Sequence, residues 1–284
     1  MFIVLGATGH VGSVVTRELL AAGEPVTAVT RDASRAEPLR AQGAAVAVVD
    51  VRDADALRAV LRQGRRAFLL NPPADPAGDP DEEERATVRS LLAALDGSGL
   101  EGIVAQSTYG AQPGRGIGDL GVLWELEEGL HGQPVPAAVM RAAYLMSNWD
   151  GLVDAARAGV LPSVIPADLA IPMVAPQDLG RAAARLLREP PGRAGVYHVE
   201  GPERRSPADV AAAFAAALGR PVEPEVTPRE GWVEMFQGLG FSEAAARSYA
   251  GMTAITVDRA YELPDDPERG TVTIDQYVQS LGSE

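Results

Sequence analysis

Phe2-Ile3-Val4-Leu5-Gly6-Ala7-Thr8-Gly9-His10-Val11-Gly12 is the stretch whose reading decides the fold. Four apolar residues followed at once by glycine read as a short strand buried on both faces. Residues 11–22 carry a helical pattern that Gly23 stops. Between the two, the glycines have separate tasks. The first makes the tight turn, the second lets the backbone approach a pyrophosphate, and the third lets the helix pack closely on the strand. The helix start then presents backbone N–H groups and the positive end of its dipole to the phosphates. In a chain with 30 glycines the spacing alone says little. Its position at the end of a first strand makes it a dinucleotide site, with Gly6, Ala7, Thr8, Gly9, His10, Val11 and Gly12 expected around the phosphates.

Outward from this turn, strand-like and helical patterns alternate. Residues 26–30, 45–49, 67–70 and 102–106 read as strands, and about 34–42, 54–62 and 82–95 as helices, with Asp53 as a cap for the second of these. That rhythm predicts an α/β protein, a doubly wound parallel-sheet Rossmann fold. Residues 109–121 contain five glycines and read as a flexible loop. Then come a helix at 123–130, a sixth strand at 137–140, a helix at 176–188 and a strand at 196–199. Ser206-Pro207-Ala208-Asp209 opens an alanine-rich helix that Gly219 ends, and Ser242 caps another through 250.

Composition excludes several classes. The 284 residues are 46% apolar, enough for a full core, and no stretch approaches a membrane span. The first residues lack the basic region and long apolar run of a signal peptide, so a cytoplasmic location is expected. With no cysteine, and with His10, His131 and His198 away from ligand spacing, no metal is expected. A net charge of −14 speaks against nucleic acid and anionic membrane as partners. All 25 basic residues are arginine, so neither a Schiff base nor a Tyr-x-x-x-Lys pair can form.

The end of the second strand bears on which nicotinamide cofactor binds. An acid there would suit the ribose hydroxyl of NAD(H), but the strand ends Val29-Thr30-Arg31. A guanidinium suits a 2′-phosphate, and Arg35 offers a second contact, so NADP(H) is preferred. Asp32 keeps NAD(H) open. Asp50 or the Val51 amide is expected near the adenine, and Asn71-Pro72-Pro73 is a stiff turn that walls the cofactor beyond its pyrophosphate. The acidic, proline-rich residues 74–84 read as a solvated loop or a lid. Ser107-Thr108-Tyr109 ends the fifth strand within reach of the nicotinamide, and Tyr109 is the candidate proton donor.

With these pieces assembled, the chain resembles the NmrA-like group of atypical short-chain dehydrogenases/reductases. The resemblance rests on residues 2–12, Thr30-Arg31-Asp32, Leu70-Asn71-Pro72-Pro73, Glu127, Met140-Arg141, Asn148, Ile171-Pro172-Met173-Val174, Asp178-Leu179-Gly180 and Tyr197-His198-Val199-Glu200-Gly201-Pro202. It implies a Rossmann unit of residues 1–141 plus about 170–200. A smaller, mostly helical substrate unit of about 142–169 plus 201–284 would complete the chain, with the substrate between them. It also implies that Arg141-Ala142-Ala143-Tyr144 lies beside the nicotinamide, which makes Tyr144 a second candidate donor. Reductases of the group often carry His or Lys four residues before the match to Glu127; here that residue is Leu123.

Three functions remain open. The first is a reductase passing hydride to a quinone, enone or similar aromatic small molecule. The second is a carbonyl or imine reductase, or another natural-product tailoring enzyme, with Tyr109 or Tyr144 as donor. The third is a non-catalytic sensor of NADP(H) that acts through a protein partner. A homodimer is left open. Trp232, Met235, Phe236 and Leu239 form one helical apolar face, read as core or as a wall for a flat substrate.

Overall fold

A computed structural model describes residues 1–190 and 194–281. Residues 282–284, which the sequence reading assigns to the substrate unit, and 191–193, inside the assigned Rossmann unit, lie outside the described residues. The glycine turn joins β1 (Phe2–Val4) to α1 (His10–Ala21). Next come β2 (Val26–Thr30), α2 (Ala36–Ala41), β3 (Ala45–Val48), α3 (Ala54–Leu61) and β4 (Arg66–Leu69). They are followed by α4 (Pro80–Leu95), β5 (Gly102–Thr108), α5 (Asp119–His131) and β6 (Ala137–Ala142).

Alternation along the strands explains how the sheet is covered. Phe2, Val4, Phe68 and Val104 face one core, with residues of α1. Ile3, Leu5, Ala67, Leu69, Ile103 and Ala105 face the other, against α3, α4 and α5. Side chains of period two feed both faces, so strands buried on both sides must be apolar throughout.

Beyond β6 the chain leaves the sheet and returns to it. It passes through β7 (Tyr144–Leu145), α6 (Val153–Arg157), β8 (Val160–Ser163) and β9 (Ile171–Val174). Helix α7 (Pro176–Arg188) then lies beside α1, where a Cβ at Gly180 would fall 2.5 Å from Val14. Strand β10 (Gly195–Glu200) rejoins the large sheet beside β6. The remaining elements are β11 (Arg204–Arg205), α8 (Pro207–Leu218), β12 (Glu223–Val226), α9 (Trp232–Gly238), α10 (Glu243–Val257), β13 (Glu268–Arg269) and α11 (Ile274–Leu281).

The large sheet has the order β13-β10-β6-β5-β4-β1-β2-β3, and every pairing in it is parallel. The order reverses between β1 and β4, which puts the glycine turn at the topological switch point where ligands bind in such sheets. Two small sheets, β11-β9-β7 and β12-β8, lie outside it. A further core joins Trp149, Phe214, Val222 and Tyr277, and an aromatic cluster holds Trp232, Phe236, Phe241 and Tyr249. No described helix is long and apolar enough to cross a membrane.

Several expectations shift in detail. The 109–121 loop is shorter than expected, because α5 starts at Asp119. Short strands β7, β8, β9, β11, β12 and β13 carry no alternation long enough to read, and their partners are distant in sequence. In the 232–239 face Trp232 and Phe236 are buried, but Leu239 lies past the helix end and is 68% exposed.

Candidate functional site

The glycine turn is built as its chemistry requires. Gly6 has φ +61°, a left-handed conformation that favours glycine, and its N-terminal half is closed by Gly9 N–H donating to the Gly6 carbonyl at 2.9 Å. A Cβ on Gly12 would sit 2.2 Å from the Gly6 oxygen and 3.0 Å from that of Leu5, so only glycine permits this approach of α1 to β1. No side chain caps α1 and its first turn has no acidic residue. Its N–H groups are therefore left for an anion, as a pyrophosphate would need. Across the turn, Asn71 Oδ1 is buried with no hydrogen-bond partner, an acceptor waiting for a donor. These features fit a dinucleotide.

At the end of β2, Arg31 is exposed and pairs with no carboxylate among the described residues. Its neighbour Asp32 is engaged elsewhere. It accepts from Ser34 N at 2.8 Å and Ser34 Oγ at 2.7 Å and lies 3.6 Å from Arg35 Nε. The Ser34 hydrogen bonds, helped by Arg35 and Arg31, hold its carboxyl below the usual range. Arg35 is thus tied to Asp32, unlike Arg31. Asp50 is exposed and folds back to accept from Arg52 N at 2.9 Å, while the Val51 side chain packs on the core beneath β3. Asp53 caps α3 through Ala56 N at 3.0 Å. Pro72 is half-buried and Pro73 exposed.

The 74–84 segment is pinned at both ends. Ala74 N donates to the buried Glu84 at 3.0 Å, and Ser242, the cap of α10, bonds the Pro76 carbonyl at 2.9 Å and the Gly78 carbonyl at 2.5 Å. Glu84 faces Asp119, and burial, then the Asp119 charge, push it up to about 8. Asp119, desolvated against it, is raised too. This carboxyl pair escaped the sequence reading because its members sit 35 residues apart on different helices.

At the strand ends beyond β4, Ser107, Tyr109 and Tyr144 have different surroundings. The buried Ser107 hydroxyl donates to Glu127, whose carboxylate also takes two bonds from Arg141, at 3.0 Å from Nε and 2.7 Å from Nη2. This bidentate pair crosses from α5 to β6; Glu127 and Arg141 each carry the resemblance in sequence, but their pairing was not foreseen. Tyr109 is 7% exposed, its ring edge-on to His198 at 5.4 Å, and its hydroxyl has no partner. Burial, then the Glu200 charge, push that phenol above its ordinary value. His198 is pushed down by burial and by Arg141, which favours its neutral form. Tyr144 is pushed up to about 12 by burial, against a hydrogen bond with Asn148, and its ring lies 5.8 Å from Trp149. Leu123, on α5, packs against the core. His10 reaches towards the other end of the chain: Asp150 lies 3.8 Å from its Nδ1 and accepts from Tyr277 Oη at 2.8 Å.

Comparison with known proteins agrees with this geometry. Residues 6–127 match the family model described as NAD(P)H-binding. An NAD(P)H azoreductase of Xenophilus azovorans is 28% identical over 87% of this chain and 84% of that protein. A nitrogen metabolite regulation-like protein of Gibberella fujikuroi is 27% identical over 96% of this chain and 90% of its own length. Among solved structures, the NADPH complex of an NADPH-dependent quinone oxidoreductase from Escherichia coli shares the fold, with a TM-score of 0.82, 21% identity and 99% of each chain covered. The chain is thus similar over residues 6–127 to NAD(P)H-binding proteins, and over most of its length to an azoreductase and to a nitrogen metabolite regulation-like protein.

Proposed function

We propose that this protein is an NADP(H)-preferring reductase that passes hydride to a quinone, enone or similar conjugated aromatic acceptor. The observation that carries the reading is the pairing of an uncapped, acid-free glycine turn with a free guanidinium, Arg31, beside an Asp32 already bound to Ser34 and Arg35. A ribose 2′-phosphate meets an open cation there, while the carboxylate that would favour the plain ribose is occupied.

When bound, the reduced nicotinamide supplies a hydride. The chain binds and orients. The α1 N-terminus takes the pyrophosphate, Asn71 Oδ1 accepts a hydrogen bond, and Pro72 and Pro73 stiffen the wall beyond it. Glu127 fixes Ser107 and Arg141 at the strand ends, so that border is rigid before any acceptor arrives. The acceptor enters between the unit of 1–141 plus about 170–200 and that of about 142–169 plus 201–284. Tyr109 and Tyr144 both hold their protons more tightly than a free phenol, and Leu123 offers none. A conjugated acceptor suits such a site, since hydride addition gives a stabilised oxyanion that water protonates afterwards. Carbonyl or imine reduction, which needs a positioned donor, is less well served.

A sensor role is the second reading, favoured by the lack of an acid at Leu123 and the likeness to a regulation-like protein. Mixing the purified protein with NADPH and a panel of quinones and enones, and following the reduced-nicotinamide absorbance, separates the two. Turnover of a quinone supports the reductase. Micromolar NADPH binding with no turnover on any acceptor rejects it in favour of the sensor.

A further inference from the structure

The first residue of α1 is linked, through two side chains, to the last helix of the fold. His10 follows the N-cap Gly9, so its exposed side chain stands at the rim of the helix end where the pyrophosphate belongs. Asp150, in the 3-10 segment Met146–Leu152, places its Oδ2 3.8 Å from His10 Nδ1. Its other oxygen, Oδ1, accepts from Tyr277 Oη at 2.8 Å. Tyr277 belongs to α11 and is 4% exposed, packed in one core with Trp149, Phe214 and Ile274. Packing fixes the phenol, the phenol orients the carboxylate, and the carboxylate faces the imidazole.

Charge makes this arrangement informative. A carboxylate beside a site for a doubly charged pyrophosphate would repel it, since charges within about 8 Å are little screened at physiological salt. An imidazole at the same place reverses the sign. Once protonated, it is attracted by the carboxylate and by the pyrophosphate together. Among the described residues, Asp150 is the carboxylate within ion-pair reach of His10. The charged groups on the surrounding elements are engaged elsewhere or turned to solvent. Arg17 and Glu18, further along α1, lie 3.4 Å from each other. On α7, Asp178 pairs with Arg181 and accepts from the Thr271 and Val272 amides, and Asp275 on α11 is exposed.

We propose that His10 clamps the cofactor's pyrophosphate as an imidazolium, with Asp150 and Tyr277 as its positioning residues, so that α11 helps set how tightly the dinucleotide is held. With Nδ1 turned to Asp150, Nε2 is left to donate to a phosphate oxygen. The proton comes from solvent when the cofactor binds. A complex that holds more protons than its separate partners is favoured as pH falls, so affinity should decline as pH rises. The clamp concerns cofactor binding and holds for a reductase and a sensor alike.

Calorimetric titration of the full chain with NADP+ and with NAD+, in two buffers of different ionisation enthalpy, gives both affinity and proton uptake. NAD+ is needed because a 2′-phosphate itself titrates at about pH 6. The wild-type chain should bind NAD+ about tenfold more tightly at about pH 6 than at about pH 8, with net proton uptake. His10→Gln should flatten that profile and abolish the uptake, while His10→Arg should restore affinity without the slope. Asp150→Asn should reduce the slope by about half or more, and Tyr277→Phe, which keeps the packing, by a smaller amount. A slope unchanged in His10→Gln overturns the clamp. A slope unchanged in both Asp150→Asn and Tyr277→Phe overturns the role given to α11. Failure of the wild-type chain to bind either cofactor would sink the dinucleotide site and the clamp with it.

Discussion

The two sides of the site are built on opposite plans. On the cofactor side, backbone does the work: a turn of glycines, an uncapped helix and a single open guanidinium, all within the first 31 residues. On the side we propose for the acceptor, side chains from distant segments are bonded to one another: Ser107 to Glu127 to Arg141, Ala74 to Glu84, Ser242 to Gly78. Backbone recognition tolerates little change in geometry but asks little of side-chain chemistry. A side-chain network can be rewired, so the acceptor side is where relatives of one fold would diverge in substrate.

The strongest way to break the contrast is Gly12→Val. Its Cβ would fall 2.2 Å from a backbone oxygen that cannot move without opening the turn. The expected cost is about 3 kcal/mol of stability, seen in denaturant unfolding, with loss of NADPH binding. A variant that kept NADPH affinity would show that the turn is not the phosphate site.

Arg31→Ala comes next. Removing charge-assisted bonds to a 2′-phosphate should weaken NADPH about 10- to 100-fold while leaving NADH nearly unchanged. Fluorescence titration with both cofactors decides it; equal losses for the two would assign Arg31 no part in the preference.

The Glu84–Asp119 pair should show itself in pH dependence. Glu84 is raised to about 8 in the folded protein from an ordinary carboxyl value near 4.5. The folded state therefore favours the protonated form. Its contribution is fully present below that ordinary value, declines as pH rises and is lost on passing the folded value. The Tm should fall between about pH 5 and pH 8, and Glu84→Gln should flatten that slope. An unchanged slope in the variant would place the dependence elsewhere.

The smallest effect sharpens the reading of the 232–239 face. Leu239→Ser should shift stability by less than about 0.5 kcal/mol, because the residue is already in solvent. Phe236→Ala, by contrast, should cost about 3 kcal/mol, since the ring packs against Phe241 and Tyr249 at 5.4 and 5.7 Å. Thermal unfolding of the two variants compares a core residue of α9 with a surface residue just past its end.

How legible each feature was follows from the distance over which its cause acts. Val26–Thr30 and Pro176–Arg188 could be read to the residue, because periodicity and helix-start signals lie within a few positions. The cap at Ser206 was equally plain: its hydroxyl takes Asp209 N while Asp209 returns a bond to Ser206 N. Strands of two residues such as β7 and β13 exist only because a partner strand supplies their hydrogen bonds, so no local pattern announces them.

The sequence by itself determined the doubly wound sheet, the glycine turn and the position of Arg31, all consequences of local pattern and of what glycine and arginine can do. It also excluded lysine and cysteine chemistry by composition. Only the tertiary structure decided that Asp32 is occupied, that the Tyr109 hydroxyl is buried without a hydrogen bond, and that Glu84 meets Asp119. It alone brought Arg204 and Arg269 to the buried Glu200. Charge, burial and proton affinity depend on neighbours in space, and the folded chain brings those neighbours from segments far apart in sequence.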